Sequence, residues 1–145
     1  MSDPTQKGKI QSVLGLIDPA DLGLTMTHEH LLIDFSVMFN PSPDVTTQRM
    51  AHAPVSMENL GWIRQYCYSN LDNLLVLDED TAIEEAMLYQ RHGGGAIVDA
   101  TTIGIGRDPL ALARISRGAG LHVVMGAGYY VDAAQPNNIN EMDEN

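Results

Sequence analysis

Apolar and polar positions along the chain predict alternating strands and helices. Residues 96–98 and 121–125 are short apolar runs between glycines and polar residues, as expected of strands buried on both faces. An earlier strand is predicted within residues 24–32. Apolar residues recur at helical spacing over residues 80–91 and 109–117, and a glycine follows each run closely. The order strand, helix, strand, helix, strand predicts an α/β fold with a parallel sheet.

Three further segments flank or interrupt this series. Residues 9–17 alternate well enough for a strand or small hairpin that leads into the fold. Residues 40–54 are polar and contain three prolines, which favours a long functional loop or lid. Ser56 is predicted to cap a helix that runs to about Cys67. The tail from Gln135 is predicted to be a loop followed by the start of an acidic helix.

Composition and charge narrow the class of protein. With 145 residues, 44% of them apolar and 19% charged, the chain is expected to form one soluble globular domain. Its formal charge of −11 argues against nucleic acid or anionic lipid as a partner. A lone cysteine, Cys67, cannot form an internal disulfide, and neither a signal peptide nor a membrane span is recognisable. We therefore expect a cytoplasmic protein.

The pair His28 and His30 carries the main candidate chemistry. Side chains two apart in a strand point to the same face, so the two imidazoles can lie side by side while Thr27 and Glu29 face away. Neutral imidazoles are good ligands for a zinc-like ion, but a catalytic metal needs about three protein ligands. The spacing alone favours two surface histidines over a metal site, so context decides.

Polar clusters follow the predicted strands, and in α/β barrels the chemistry lies at the carboxyl ends of the strands. That position favours the metal interpretation of the histidine pair. Asp99 follows the second strand and is expected either to be a carboxylate behind the metal ligands or to cap a helix. Tyr129 and Tyr130 follow the third strand and either pack in the fold or form the apolar wall of a pocket.

Two other histidines have simpler explanations. His52 lies in the polar stretch 40–54, where a solvated loop histidine is expected. Arg91, His92 and Gly93 form a sequence typical of a helix carboxyl end, with positive charge followed by glycine. Neither histidine is therefore predicted to bind metal.

Several motifs in order resemble the amino-terminal portion of the phosphotriesterase-related proteins of the amidohydrolase superfamily. The first two are residues 8–17 and 22–31, the latter containing the histidine pair. Residues 97–102 with 106–108, and then 126–132, are similar to the family's second and third strand ends. The resemblance extends from about residue 8 to about residue 134.

The resemblance implies a (β/α)8 TIM barrel whose two divalent metal ions, usually zinc, activate a bridging hydroxide. That hydroxide attacks an ester-like or amide-like centre of a small-molecule substrate. His28 and His30 match the family's first-strand metal ligands, and Tyr130 matches a position that lines the leaving-group part of the substrate pocket. No residue is assigned as catalytic. Members of this class are often dimeric, so a homodimer of a full-length parent is a further expectation.

A complete barrel of this type takes about 250 residues, whereas residues 1–145 supply about three βα units after a short β lead-in. The sequence therefore predicts a truncated barrel domain of a metal-dependent hydrolase. Two alternatives stay open. The chain is a catalytically inactive isoform or fragment that lacks the later metal ligands, or it is a small α/β binding domain without a metal.

Overall fold

The computed structural model describes residues 6–136, which form seven strands and four helices. The strands are β1 (Ile10–Ser12), β2 (Gly15–Ile17), β3 (Leu24–Glu29), β4 (Ile33–Asp34), β5 (Leu75–Val76), β6 (Gly94–Asp99) and β7 (His122–Met125). The helices are α1 (Val45–Ala51), α2 (Leu60–Gln65), α3 (Glu79–Arg91) and α4 (Pro109–Ala119).

The central feature is a parallel sheet in the order β3-β6-β7, connected through α3 and α4. Ile97 in the middle strand is in register with Met26 on one side and with Val123 on the other. The middle strand is apolar because it is covered on both faces. The predicted α/β fold with a parallel sheet is confirmed, and so are the three strands and the two helices that connect them.

Helices α3 and α4 pack against each other and against the sheet to form the core. Ile97, Leu112, Ile115 and Val123 are all buried, since the apolar stripe of α4 faces the apolar strands. Asp108 begins α4 by accepting hydrogen bonds from the amides of its first turn, at 2.9 and 3.0 Å. Across residues 6–136, no helix is both long enough and apolar enough to cross a membrane.

The lead-in is a hairpin, as predicted. Strands β1 and β2 are antiparallel, with Ile10 opposite Ile17. At the turn between them, the amide of Val13 donates a hydrogen bond of 2.9 Å to the carbonyl of Val123 in β7. The side chain of Val13 packs against the core. The hairpin is thus fixed to β7, an outer strand of the sheet.

The prediction of a continuous loop over residues 40–54 is wrong, because the segment contains α1. Asp44 caps this helix by accepting a hydrogen bond of 3.0 Å from the amide of Thr46. The pattern did not reveal the helix, since it has only seven residues, begins with three β-branched ones and buries only Ala51.

The helix predicted to start at Ser56 is shorter than expected. Asn59 accepts a hydrogen bond of 2.8 Å from the Ser56 amide and donates one of 2.8 Å to the Pro54 carbonyl, which holds residues 56–59 as a turn. Helix α2 follows this turn and ends before Cys67, which is exposed and begins a separate 3-10 turn. The helix start predicted in the tail lies beyond residue 136, outside the described residues.

Candidate metal centre

Strands β3, β6 and β7 run parallel, so their carboxyl ends meet at one edge of the sheet. His28 lies near the end of β3, and His30 follows directly after it. Their ring centroids are 5.4 Å apart, and the ring planes are inclined by 74°. His28 is exposed and His30 is half-buried. The structure therefore brings the two predicted ligands together at the edge of the sheet where the strand carboxyl ends meet.

A bulge in β3 determines which residues share a face with the pair. Met26 pairs with Ile97, and Glu29 pairs with Asp99. Between these two pairs β3 advances by three residues and β6 by two, which makes a β-bulge in β3. Met26 and Glu29 consequently line the same hollow beside α3, although an unbroken strand would place them on opposite faces. The two imidazoles are left together on the face away from this hollow.

The pair fits a shared divalent ion. With Zn–N bonds of about 2.1 Å and tetrahedral angles, the centroids of two imidazoles on one ion lie about 5 Å apart, close to the 5.4 Å observed. Neutral imidazole is also the nitrogen ligand that zinc prefers. Within residues 6–136, however, no cluster of three or more His, Cys, Asp or Glu side chains could complete a metal site. The described residues thus hold two clustered imidazoles, fewer than the three or so protein ligands that a catalytic zinc site needs.

The half-buried imidazole has a hydrogen-bond partner on the neighbouring strand end. His30 Nδ1 lies 2.9 Å from the hydroxyl of Thr101, which follows β6 and is 1% exposed. The same hydroxyl donates to the carbonyl of Leu32 at 3.1 Å. Sequence reasoning gave Thr101 no role, because its two partners are about 70 residues away in the chain.

Asp99 fastens the two strand ends together. Its side chain is fully buried, and it accepts hydrogen bonds of 2.8 Å from the Leu31 amide and 2.9 Å from the Thr101 amide. The expectation that it caps a helix is wrong, since the next helical turn begins at Ile103 after Thr102. The carboxylate instead holds the backbone after β3 against the backbone after β6, and its predicted place behind metal ligands stays a prediction.

Tyr130 lies beyond the end of β7, at the same edge of the sheet. Its ring is 47% exposed and stands 5.7 Å from the ring of Phe35 in an edge-on contact. The ring of Phe35 also lies 6.2 Å from the ring of Tyr68. Tyr129, which precedes Tyr130 in the chain, is exposed. The Tyr130 side chain therefore packs against the ring of Phe35 and is otherwise open to solvent. Its predicted place in a substrate pocket stays a prediction.

The other two histidines considered in the sequence, His52 and His92, lie at the ends of helices. His92 ends α3, where its Nδ1 is 2.7 Å from the Leu88 carbonyl, so the helix-end interpretation is confirmed. His52 lies at the end of α1 rather than in a loop, and its ring stands 5.5 Å from that of Phe39. Neither residue contacts the His28–His30 pair.

Two carboxylates at the start of α3 have lowered pKa values. Hydrogen bonds from Thr81 lower the pKa of Asp78 at the start of α3. The guanidinium of Arg114 in α4 lowers the pKa of Glu79 by donating hydrogen bonds of 2.6 and 2.8 Å to its carboxylate. These groups stabilise the helices that support the strand ends.

Comparison with known proteins gives consistent matches over nearly the whole chain. The sequence model of the Phosphotriesterase family matches residues 8–142. The N-acetyltaurine hydrolase of Salmo salar is 47% identical over 137 residues, and that of Homo sapiens is 43% identical over 136. Each match covers 93% of this chain and 39% of the relative.

A solved structure, described as a resiniferatoxin-binding protein from Rhodobacter sphaeroides, superposes with a TM-score of 0.90 at 42% identity. The match covers 93% of this chain and 38% of that protein. The chain thus spans about two fifths of the length of the curated relatives it matches. The resemblance to the phosphotriesterase-related proteins, and to only a portion of them, is confirmed.

Proposed function

The chain belongs to the phosphotriesterase family, and on that premise we propose that it contributes the first metal ligands of a divalent-metal-dependent hydrolase. The observation that carries the proposal is the His28–His30 pair, two imidazoles 5.4 Å apart at the strand carboxyl ends. Such a pair matches the ligand type and spacing that one zinc ion requires.

The bound metal would supply one chemical property, a coordinated water whose pKa is lowered to about 7 and which is therefore a nucleophile at neutral pH. His28 and His30 would hold the ion, and Asp99 would keep the ends of β3 and β6 in place around it. The other ligands, and a second zinc ion, are proposed to come from outside the described residues. This chain alone is accordingly proposed to be inactive.

The proposed substrate is an N-acetylated amine of the N-acetyltaurine type, cleaved at its amide bond. Relatives 43% and 47% identical to this chain are N-acetyltaurine hydrolases, which supports an amide over a phosphotriester or a lactone. Tyr130 would line the part of the pocket that receives the leaving group, with Phe35 supporting its ring. The exposed side of that ring gives the substrate an apolar surface.

A second function, ligand binding without hydrolysis, is favoured by one observation. The solved structure with a TM-score of 0.90 is that of a resiniferatoxin-binding protein. A binding protein of this kind would keep the strand-end pocket and need no nucleophile.

A chimera separates the two functions. Residues 8–136 would replace the matching segment of the Salmo salar N-acetyltaurine hydrolase, so that this chain's histidine pair is placed in a full-length context. We expect the purified chimera to contain zinc and to release acetate from N-acetyltaurine. The double variant His28→Ala/His30→Ala should lose at least about 1000-fold in activity, since the metal's contribution to the reaction is lost.

The matched control is His52→Ala/His92→Ala, which removes two histidines that do not contact the pair. This variant should retain the activity of the chimera. A folded chimera that binds N-acetyltaurine without cleaving it would favour the binding function. Undiminished hydrolysis by the His28→Ala/His30→Ala variant would exclude the pair as metal ligands.

A further inference from the structure

The hydroxyl of Thr101 joins two groups that differ in what they can offer a hydrogen bond. His30 Nδ1 lies 2.9 Å from its oxygen, and the carbonyl of Leu32 lies 3.1 Å away. A hydroxyl has one proton to donate and lone pairs with which to accept. A carbonyl can only accept, whereas an imidazole nitrogen can donate or accept according to the tautomer.

The carbonyl of Leu32 determines which group receives the hydroxyl proton of Thr101. Leu32 is buried, and within the described part of the chain no other donor reaches its carbonyl. An unpaired carbonyl in such a place loses its hydrogen bonds to water without gaining a partner, which is unfavourable. If the Thr101 hydroxyl donates to Leu32, its oxygen can only accept from His30, and Nδ1 must carry the proton. This arrangement satisfies all three groups, whereas the opposite tautomer leaves one of them without a partner.

We propose that Thr101 is a positioning residue that fixes His30 in the tautomer protonated at Nδ1 and leaves the lone pair of Nε2 free for a metal ion. The proposal rests on the metal site put forward above, but the tautomer itself does not depend on metal. It explains why the neighbouring strand end supplies a hydroxyl at this position. A ligating histidine commonly donates its other ring N–H to such a partner, which orients the ring.

The backbone around Thr101 makes this contact rigid. The two oxygens of Asp99 accept the amide protons of Thr101 and Leu31, at 2.9 and 2.8 Å. The amide of Ala100 also donates a hydrogen bond of 2.8 Å to the carbonyl of Glu29. Two of these hydrogen bonds, from Leu31 to Asp99 and from Ala100 to Glu29, hold the segment before the hydroxyl against the segment that carries the imidazole, and the third fixes Thr101 within its own segment. The two backbone segments that carry the ring and the hydroxyl therefore cannot move apart without breaking these hydrogen bonds.

The chain offers a matched control next to Thr101. Thr102 is also buried, at 8% exposure, but its hydroxyl has no hydrogen-bond partner among the described residues. Replacing it by valine removes a hydroxyl of the same kind without touching His30. Thr101→Val removes the partner and keeps the branched shape, and Thr101→Ser keeps the hydroxyl and removes a methyl group.

The test is a long-range ¹H–¹⁵N correlation spectrum of the complete chain labelled at histidine, recorded without metal at a pH where the rings are neutral. His30→Gln assigns the signals. We expect His30 to show a protonated Nδ1 and an unprotonated Nε2 in the unmodified chain, in Thr101→Ser and in Thr102→Val. In Thr101→Val the proton should move to Nε2 or be shared between the two nitrogens.

A protonated Nε2 on His30 in the unmodified chain would overturn the proposal, even if Thr101→Val failed to fold. An unchanged spectrum in a Thr101→Val chain with native circular dichroism would overturn it as well. Calorimetric titration with zinc separates this inference from the proposed function. Thr101→Val should weaken zinc binding about 10–100-fold, and Thr101→Ser should restore it. The expected tautomer in a chain that binds no zinc would support the role of Thr101 while contradicting the proposal that the histidine pair binds zinc.

Discussion

At the scale of single residues, the backbone just after the histidine pair is held by Asp99, which accepts a hydrogen bond from the Leu31 amide, and by Thr101, which donates one to the Leu32 carbonyl. His28 and His30 could be predicted because two-residue spacing in a strand is a local property. The hydroxyl of Thr101 and the carboxylate of Asp99 act on partners about 70 residues away, at Leu32 and Leu31. No local pattern encodes such contacts, so Asp99 was assigned two roles of which one, the helix cap, is wrong.

Asp99→Ala should destabilise the fold markedly. Two amides, those of Leu31 and Thr101, would lose their acceptor at a buried position. We expect the free energy of unfolding to fall by about 3 kcal/mol, since each orphaned buried group costs about 1–3 kcal/mol. Urea denaturation followed by circular dichroism measures the change. Asp21→Asn, at an exposed position, is the control and should stay close to the unmodified chain.

At the scale of elements, the long helices and buried strands could be predicted because their apolar periodicity is sustained. Helix α1 could not, since its seven residues bury a single side chain and its start is β-branched. The bulge in β3 was equally hidden, because it depends on the register with β6 rather than on the sequence of β3 alone. It is nevertheless the feature that sets the face of the histidine pair.

The segment between β4 and β5 depends on Asn70. Its buried amide donates hydrogen bonds of 2.7 and 2.8 Å to the carbonyls of Met50 and Ala53 and accepts one of 2.8 Å from the Asn73 amide. Asn70→Ala should lower the free energy of unfolding by about 3 kcal/mol. Asn73→Ala removes an exposed side-chain hydrogen bond and should cost far less. Equal effects of the two substitutions in urea denaturation would contradict this account.

The cap of α3 predicts a dependence on pH. The pKa of Asp78 is lowered in the folded chain by hydrogen bonds from Thr81, so its contribution to stability is present above the ordinary value of 3.8. It is lost as the pH falls from there through the lowered pKa. Asp78→Asn should therefore reduce the loss of folding stability that acid causes below about pH 4.

Thermal unfolding recorded over a series of pH values measures this loss. Asp80→Asn is the control, because its carboxylate in the same turn accepts no hydrogen bond within residues 6–136. That variant should follow the unmodified chain at every pH. Identical curves for Asp78→Asn and the unmodified chain would show that the cap does not contribute to acid stability.

At the scale of the whole molecule, the α/β fold could be predicted from the order of elements. Whether another strand pairs with the outer strands of the sheet could not. Strands β3 and β7 pair with no further strand on their outer sides within the described residues. Beside β3, a hollow of about 390 Å³ is lined by apolar side chains, among them Met26, Leu31 and Leu88. Open edges next to apolar surface favour association between chains.

We therefore expect the 145-residue chain to associate as its concentration rises. Leu24→Lys, which places a charge on the exposed edge of β3, should shift light-scattering masses back towards 15.8 kDa. Val45→Lys replaces an exposed apolar residue on α1, away from the sheet, and should change nothing. A monomer at every concentration would contradict the expectation.

The measurement that tests the metal centre most directly is zinc binding to the chain itself by isothermal titration calorimetry. The account predicts about one zinc ion per chain, since two imidazoles at this spacing share one ion. Binding should disappear in His28→Ala/His30→Ala and persist in His52→Ala/His92→Ala. Zinc binding that survives removal of the pair, or that is lost with the two outlying histidines instead, would contradict it.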